Sequence, residues 1–236
     1  MPLRVICAIS PHWQVRVGLA GEIAQITRNG ITMPYDLIGL KTTVLLNEAN
    51  SDLDPTQGYR LQLDVTPWAD LGPGGDIFTI MRLTGRSYLD LGEPGRTVLA
   101  TRASFGTEPA ISIGGIPPDK LFYAGGGGSV RGFVYQSAGP RDAFNNPLGG
   151  ASVVEASVEL RQRIGKSFGA VAFVDAGSAY PDYLPNFSLF APRVGAGAGV
   201  RYYTDFGPIR LDVGLPLNRR EGDPPFGIYV SLGQAF

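Results

Sequence analysis

Four consecutive glycines, Gly125–Gly128, run into Ser129-Val130-Arg131-Gly132-Phe133 within the stretch AGGGGSVRGFVYQSAG, residues 124–139. A flexible backbone, a hydroxyl and a cation at this spacing could serve several chemistries. A phosphate-cradling loop needs Lys-Ser/Thr after the glycines and a helix behind them, and neither follows. A nucleophile elbow needs glycine two residues past the serine, where Arg131 stands instead. A Ser-His-Asp triad would have to use His12, the only histidine, which lies in an unpatterned N-terminal segment. Glu155 and Glu159 share one face of a strand, but Arg161 and Arg163 share it too, so ladder salt bridges are the better reading than acid–base catalysis. No catalytic set is present, and the chain reads as a non-enzyme without a cofactor. What remains is a loop with a single arginine at its tip.

That loop sits in the longest stretch without alternation, about residues 106–150. It carries few charges and several aromatics, among them Phe122, Tyr123, Phe133 and Tyr135. Disorder favours the opposite composition, and long loops in compact β proteins are usually functional. The expectation is a loop packed into something.

The elements that must position it are strands. The chain has 236 residues, 44% hydrophobic and 17% charged, with 33 glycines and 19 prolines spread along it. That composition suits many short strands joined by turns. A net charge of -1 with no basic block excludes a nucleic-acid binder. One cysteine, Cys7, and one histidine exclude a disulfide framework and a zinc set. No apolar run reaches the ~18 residues of a membrane helix. Residues 1–10 are too short for a signal peptide and no A-x-A site follows. Cys7 also lacks the small residues that precede a lipidated cysteine. A trimmed or mis-started N-terminus is the expectation, with residues 1–12 unassigned and 13–236 forming one domain.

Period-2 alternation recurs in about ten strands, and no amphipathic helix is evident. Trp13, Val15, Val17, Leu19 and Ile23 oppose Gln14, Arg16, Gly18, Ala20 and Glu22. Residues 35–47 alternate poorly. Tyr59, Leu61, Leu63 and Val65 oppose Arg60, Gln62, Asp64 and Thr66. Strands over about 77–91 and 96–105 follow. Val154, Ala156, Val158, Leu160 and Ile164 oppose Glu155, Ser157, Glu159, Arg161 and Arg163. Strands near 168–178, 193–202 and 209–217 lead to a last one over 226–236. In that strand Ile228, Val230, Leu232 and Phe236 fall on the apolar face, and Gly227, Ser231, Gly233 and Ala235 on the other. A soluble sandwich or barrel and a membrane barrel both fit this pattern. Charges on successive inward positions, connections that alternate between short and long, and a strand ending in Phe236 favour the membrane barrel.

Ordered blocks sharpen the reading. They are Asp54-Pro55-Thr56-Gln57-Gly58-Tyr59-Arg60-Leu61, then Phe122 to Pro140 with its VRGF motif, Leu148-Gly149-Gly150 and Glu159-Leu160-Arg161. Phe173-Val174-Asp175-Ala176-Gly177, residues 201–212 and the terminal YVSLGQAF, residues 229–236, complete the series. In that order they resemble the outer-membrane assembly superfamily that contains BamA, TamA and FhaC, also known as bacterial surface antigens. The TamA-like branch is most similar. The resemblance covers about residues 54–236 and extends towards residue 13.

It implies an all-β antiparallel transmembrane barrel whose VRGF loop folds into the lumen. There Val130, Arg131, Gly132 and Phe133 would meet Glu159, Phe173 and Asp175 on the wall. A planar guanidinium suits carboxylates bidentately, either to stabilise the barrel or to gate it. Tyr229, Leu232 and Phe236 would mark a terminal strand that pairs poorly with the first strand and leaves a lateral seam. Family members carry a sixteen-strand barrel behind POTRA domains. The chain therefore matches the C-terminal part of a member, without POTRA domains or about the first six strands. The implied place is the bacterial outer membrane. The implied partners are the lipid bilayer, outer-membrane or secreted substrate proteins and a TamB-like protein spanning the periplasm. The implied work is barrel assembly or protein translocation, with a passive channel, a structural barrel or an inactive fragment as the alternative.

Overall fold

The computed structural model describes residues 4–8, 10–28, 31–72, 75–109 and 116–236. They form eleven strands: β1 (Arg4–Ala8), β2 (Trp13–Arg28), β3 (Ile31–Asn47), β4 (Gly58–Asp70), β5 (Ile77–Asp90), β6 (Thr97–Thr107), β7 (Ser152–Ile164), β8 (Phe168–Tyr180), β9 (Arg193–Thr204), β10 (Gly207–Pro216) and β11 (Gly227–Leu232). Each pairs antiparallel with its neighbours in sequence, giving one curved sheet in the order β1 to β11. No ladder joins β11 to β1 among the described residues. The long loop runs from β6 to β7 on the concave side, which we call the lumen.

The sheet is inside-out relative to a water-soluble protein. On β7, Glu155, Ser157, Glu159 and Arg161 are buried in the lumen, while Val158, Leu160 and Ile164 point outward and are exposed. On β2, Ile23 is 90% exposed on the same outer surface. A continuous apolar exterior around a charged interior is stable only if hydrocarbon replaces water outside. No helix among the described residues is long and apolar enough to cross a membrane.

Three strand expectations change. The segment assigned no structure contains β1, whose residues pair with β2 from Arg4↔Gly18 to Ala8↔Gln14. The poor alternation over 35–47 has a packing cause. There the inner wall is itself apolar, as Tyr35, Leu37, Trp68 and Phe78 bury together with Ile116 of the long loop. Gly39 makes room for the Trp68 ring, which a Cβ would meet at 2.5 Å. The β3–β4 ladder also skips the rungs beside Pro67, which has no N–H to offer.

The third change is at the C-terminus. The last strand stops at Leu232 rather than running to Phe236. Gly233 adopts φ +83°, a conformation open mainly to glycine, and residues 233–236 turn into the lumen. Phe236 therefore does not face lipid. It packs on Tyr88, Val98 and Ala100, with the guanidinium carbons of Arg161 and Arg102 at 5.3 and 5.8 Å from its ring centre. Two cations over a quadrupolar ring favour this inward position. Ile228, Val230 and Leu232 do face outward. The expected rule of short turns against long loops holds from β5 onward. It fails at residues 48–57, a long connection at the short-turn end.

Glu108 lies just past β6 at the root of the long loop. It is buried, and neither carboxylate oxygen has a hydrogen-bond partner among the described residues. Burial pushes its carboxyl up to about 8. The folded form thus binds a proton that the unfolded form releases near 4.5, so the contribution is complete below that value and is lost as pH rises through the folded one.

Two outcomes follow from the fold. Val158→Lys, on the outer face at mid-strand, should lower the unfolding free energy in lipid vesicles by about 2–4 kcal/mol in a denaturant titration. A soluble fold would tolerate it. Stability should fall between pH 5 and pH 8.5, about the window set by the two carboxyl values, and Glu108→Gln should flatten that slope in the same titration.

Candidate functional site

The loop tip is shaped by its own turns before it meets the wall. Ser129 N–H donates to the Gly126 carbonyl at 3.1 Å, and Gly126 N–H donates to the Val130 carbonyl at 3.2 Å. Ser129 Oγ accepts from Gly125 N–H at 2.9 Å and donates to Glu155 of β7. Val130 and Phe133 are fully buried on either side of Arg131 and Gly132.

Arg131 enters a cluster of carboxylates. Its Nε and Nη2 donate to Asp175 Oδ2 and Oδ1 at 2.7 and 2.9 Å, a two-pronged contact. Its backbone N–H adds a third bond to Asp175 at 3.1 Å. Nη1 donates to Glu159 Oε1 at 2.6 Å and to Asp212 Oδ2 at 3.0 Å. The guanidinium carbon lies 3.4 Å from the centre of the Phe173 ring. Three strands, β7, β8 and β10, each supply one acid, so a single side chain ties them together.

The expected partners Glu159, Phe173 and Asp175 are all brought together. Asp212 is an addition. Its inward parity was readable beside Arg210, but nothing local marked it as a partner of the loop. Arg201, also buried, donates to Asp212 Oδ1 at 2.5 Å and stands 3.8 Å from Glu159. Arg161 Nε donates to Glu159 Oε2 at 2.9 Å. Arg210 stands 3.7 Å from Asp212. The cluster thus alternates cations and anions, as charges away from water must. Burial pulls the Arg131 guanidinium down, but its bonds to Asp175 and the charge of Glu159 outweigh this and raise it above the ordinary arginine value.

Close approach of the backbones needs missing side chains on both sides. Gly132 has φ +100°, and a Cβ there would lie 2.8 Å from the Leu215 backbone. A Cβ on Gly195 would meet the Arg131 carbonyl oxygen at 1.8 Å. Gly214 of β10, where a Cβ would meet Gly132 N at 2.7 Å, lies beside Gly195, and the two glycines leave a groove for the loop tip.

Tyr229, expected only as part of the terminal strand, also holds the loop. Its hydroxyl accepts from Gly132 N–H and donates to the Phe133 carbonyl, both at 2.9 Å. Its place between outward Ile228 and Val230 is the sequence signal for this inward contact. Leu232 faces outward away from the loop, and Phe236 lies in the lumen against β5 and β6. The tip is therefore bound to β7, β8, β10 and β11 at once. Among the described residues no group of His, Cys, Asp and Glu could hold a metal ion.

The fold has relatives among solved structures. The fold matches BamA from Haemophilus ducreyi lacking POTRA domains 1-3, with TM-score 0.78 and 20% identity over 96% of this chain and 52% of that one. It also matches CdiB from Acinetobacter baumannii, with TM-score 0.62 and 17% identity over 99% of this chain and 41% of that one. The chain thus spans about half the length of the solved structures it matches. The Omp85 superfamily domain model matches residues 20–236. An all-β antiparallel sheet with an apolar exterior, a lumen loop and this family match lead to one conclusion: the chain belongs to the Omp85 superfamily and is an outer-membrane protein of bacteria.

Proposed function

We propose that the chain is the barrel region of a factor that inserts other proteins into the outer membrane or passes them across it, in the TamA-like branch of the family. Its substrates are outer-membrane or secreted polypeptides, and a TamB-like protein spanning the periplasm is its partner. The work is non-enzymatic. Residues Val130, Arg131, Gly132 and Phe133 with Glu159, Phe173 and Asp175 form a lock between loop and wall, and Tyr229 links it to the terminal strand.

The observation that carries this reading is the single Arg131 contact to carboxylates on three strands beside a tyrosine from β11. A purely structural barrel could be held by ladder pairs alone. A loop pinned at its tip also closes the lumen against simple diffusion, which weighs against a passive channel. The terminal strand supports the reading from another direction. β11 is six residues long and pairs with β10. A strand edge of unpaired N–H and C=O groups is a template for strand addition, so insertion would need no covalent chemistry.

Arg131→Ala should leave three acids facing one another and cost about 3–5 kcal/mol of stability. Limited proteolysis of the protein in proteoliposomes should then cut within residues 124–139, and insertion of a substrate barrel should fall in the same preparation. A loop that stays protected with insertion intact would overturn the proposal. Arg131→Lys should not rescue insertion, because an ammonium cannot span two carboxylates as a fork does. Tyr229→Phe should remove two hydrogen bonds and cost about 1–3 kcal/mol, read as faster amide exchange at Gly132. In planar bilayers the wild type should stay closed and Arg131→Ala should conduct; a conducting wild type would favour the passive channel.

A further inference from the structure

The inward face of β4, β5 and β6 carries a row of three arginines in register. Arg60 pairs across with Arg86, and Arg86 pairs across with Arg102. Directly opposed side chains lie about 4.5–5.5 Å apart at Cβ, and like charges so placed repel. The diagonal neighbours of Arg86 are Gly58, Gln62, Ala100 and Ser104, none of them acidic.

The outer two arginines are compensated. Arg60 donates to Asn47 at 2.8 Å and to Asp52 at 2.9 Å. Arg102 donates to the Gly128 and Ser129 carbonyls of the lumen loop at 2.7 and 3.2 Å. Arg86 makes no hydrogen bond and no ion pair among the described residues, although it shares the lumen face with buried Thr84 and Tyr88. Two further groups beside it are orphaned. The Arg102 Nε–H and the Tyr88 hydroxyl are buried without a partner. The side chain of Arg102 is 10% exposed and Tyr88 is 3% exposed. The Arg86 guanidinium, the Arg102 N–H and the Tyr88 O–H thus stand on neighbouring positions of β5 and β6, each without a partner among the described residues. Buried donors of this kind normally have one.

We propose that Arg86, with Arg102 and Tyr88, forms an oxyanion site in the lumen that takes a carboxylate or phosphate group. A planar guanidinium binds both geometries with two parallel N–H···O bonds. The oxyanion also offsets the repulsion along the arginine row. The site borders the Arg131 cluster, since the Arg161 guanidinium carbon lies 5.9 Å from the Tyr88 ring centre, but the acids of that cluster are already shared among arginines. Occupancy reaches the loop through Arg102, which holds the Gly128 and Ser129 carbonyls with its remaining donors. The group comes either from a small free anion or from an acidic side chain of a polypeptide in the lumen.

The test uses the purified full chain in a zwitterionic detergent, titrated by calorimetry with inorganic phosphate and, separately, with a tetraglutamate peptide. Wild type should bind at least one of them, and Arg86→Gln should weaken that binding about tenfold, the effect of one charged hydrogen bond. Because Arg86 has no hydrogen-bond or ion-pair partner among the described residues, Arg86→Gln should fold, and without added anion it should melt no lower than wild type. The anion should raise the wild-type melting temperature and leave that of Arg86→Gln unchanged. Arg96→Gln, at an exposed turn, should behave as wild type. Binding of phosphate alone identifies a small-anion source, and tighter binding of tetraglutamate a polypeptide source. No binding of either probe, or equal binding by wild type and Arg86→Gln, overturns the site.

Discussion

The structure depends on one guanidinium placed where three strands offer carboxylates. Glu159, Asp175 and Asp212 lie in the lumen away from water. Without a cation between them, three like charges would face one another uncompensated. The wall supplies cations of its own in Arg161, Arg201 and Arg210, yet the position that touches all three acids is filled from the loop. The strands and the loop therefore need each other. The wall gains a counter-charge, and the loop gains a fixed tip despite the ordering cost of its glycines.

The second constraint is the solvent. A chain that buries Glu155, Glu159 and Arg161 while exposing Val158, Leu160 and Ile164 inverts the usual partition of polar and apolar groups. Lipid resolves the inversion on the outside. On the inside the charges around Arg131 are satisfied by pairing, both within the wall and with the loop. The apolar patch near Tyr35, Leu37 and Trp68 is the local exception, and it is where the start of the loop, with Ile116, is packed.

Much of this was legible from the residues. Strict alternation in β7 placed Glu159 in the lumen, and the ordered blocks brought Arg131, Glu159, Phe173 and Asp175 together as the resemblance implied. The family and the fold agree with the expected barrel of this superfamily. Asp212 lies two residues from Arg210, and Tyr229 between Ile228 and Val230, so alternation can place both inward, but it gives a face and not a partner. Which inward groups meet the loop depends on how deep its tip sits. β1 was too short to show a period. β3 hid its pairing because both of its faces are apolar at one end. Phe236 was misplaced because extending the alternation through Gly233 assumed a straight strand, and a glycine at φ +83° ends it.

The connection over residues 48–57 has a mechanical meaning. It leaves the sheet between β3 and β4 and reaches residues far along the chain. Asp54 accepts from Arg163 at 3.0 Å and from Gln234 Nε2 at 2.8 Å, and the Leu53 carbonyl accepts from Gln234 N–H at 3.2 Å. Arg161 completes the link by donating to the Phe236 carbonyl at 3.0 Å. A curved sheet with no ladder between its first and last strands among the described residues could flatten or tighten freely. This connection acts as a chord across the arc, fixing the distance between its early and late strands, so that the radius of curvature is set from within the chain.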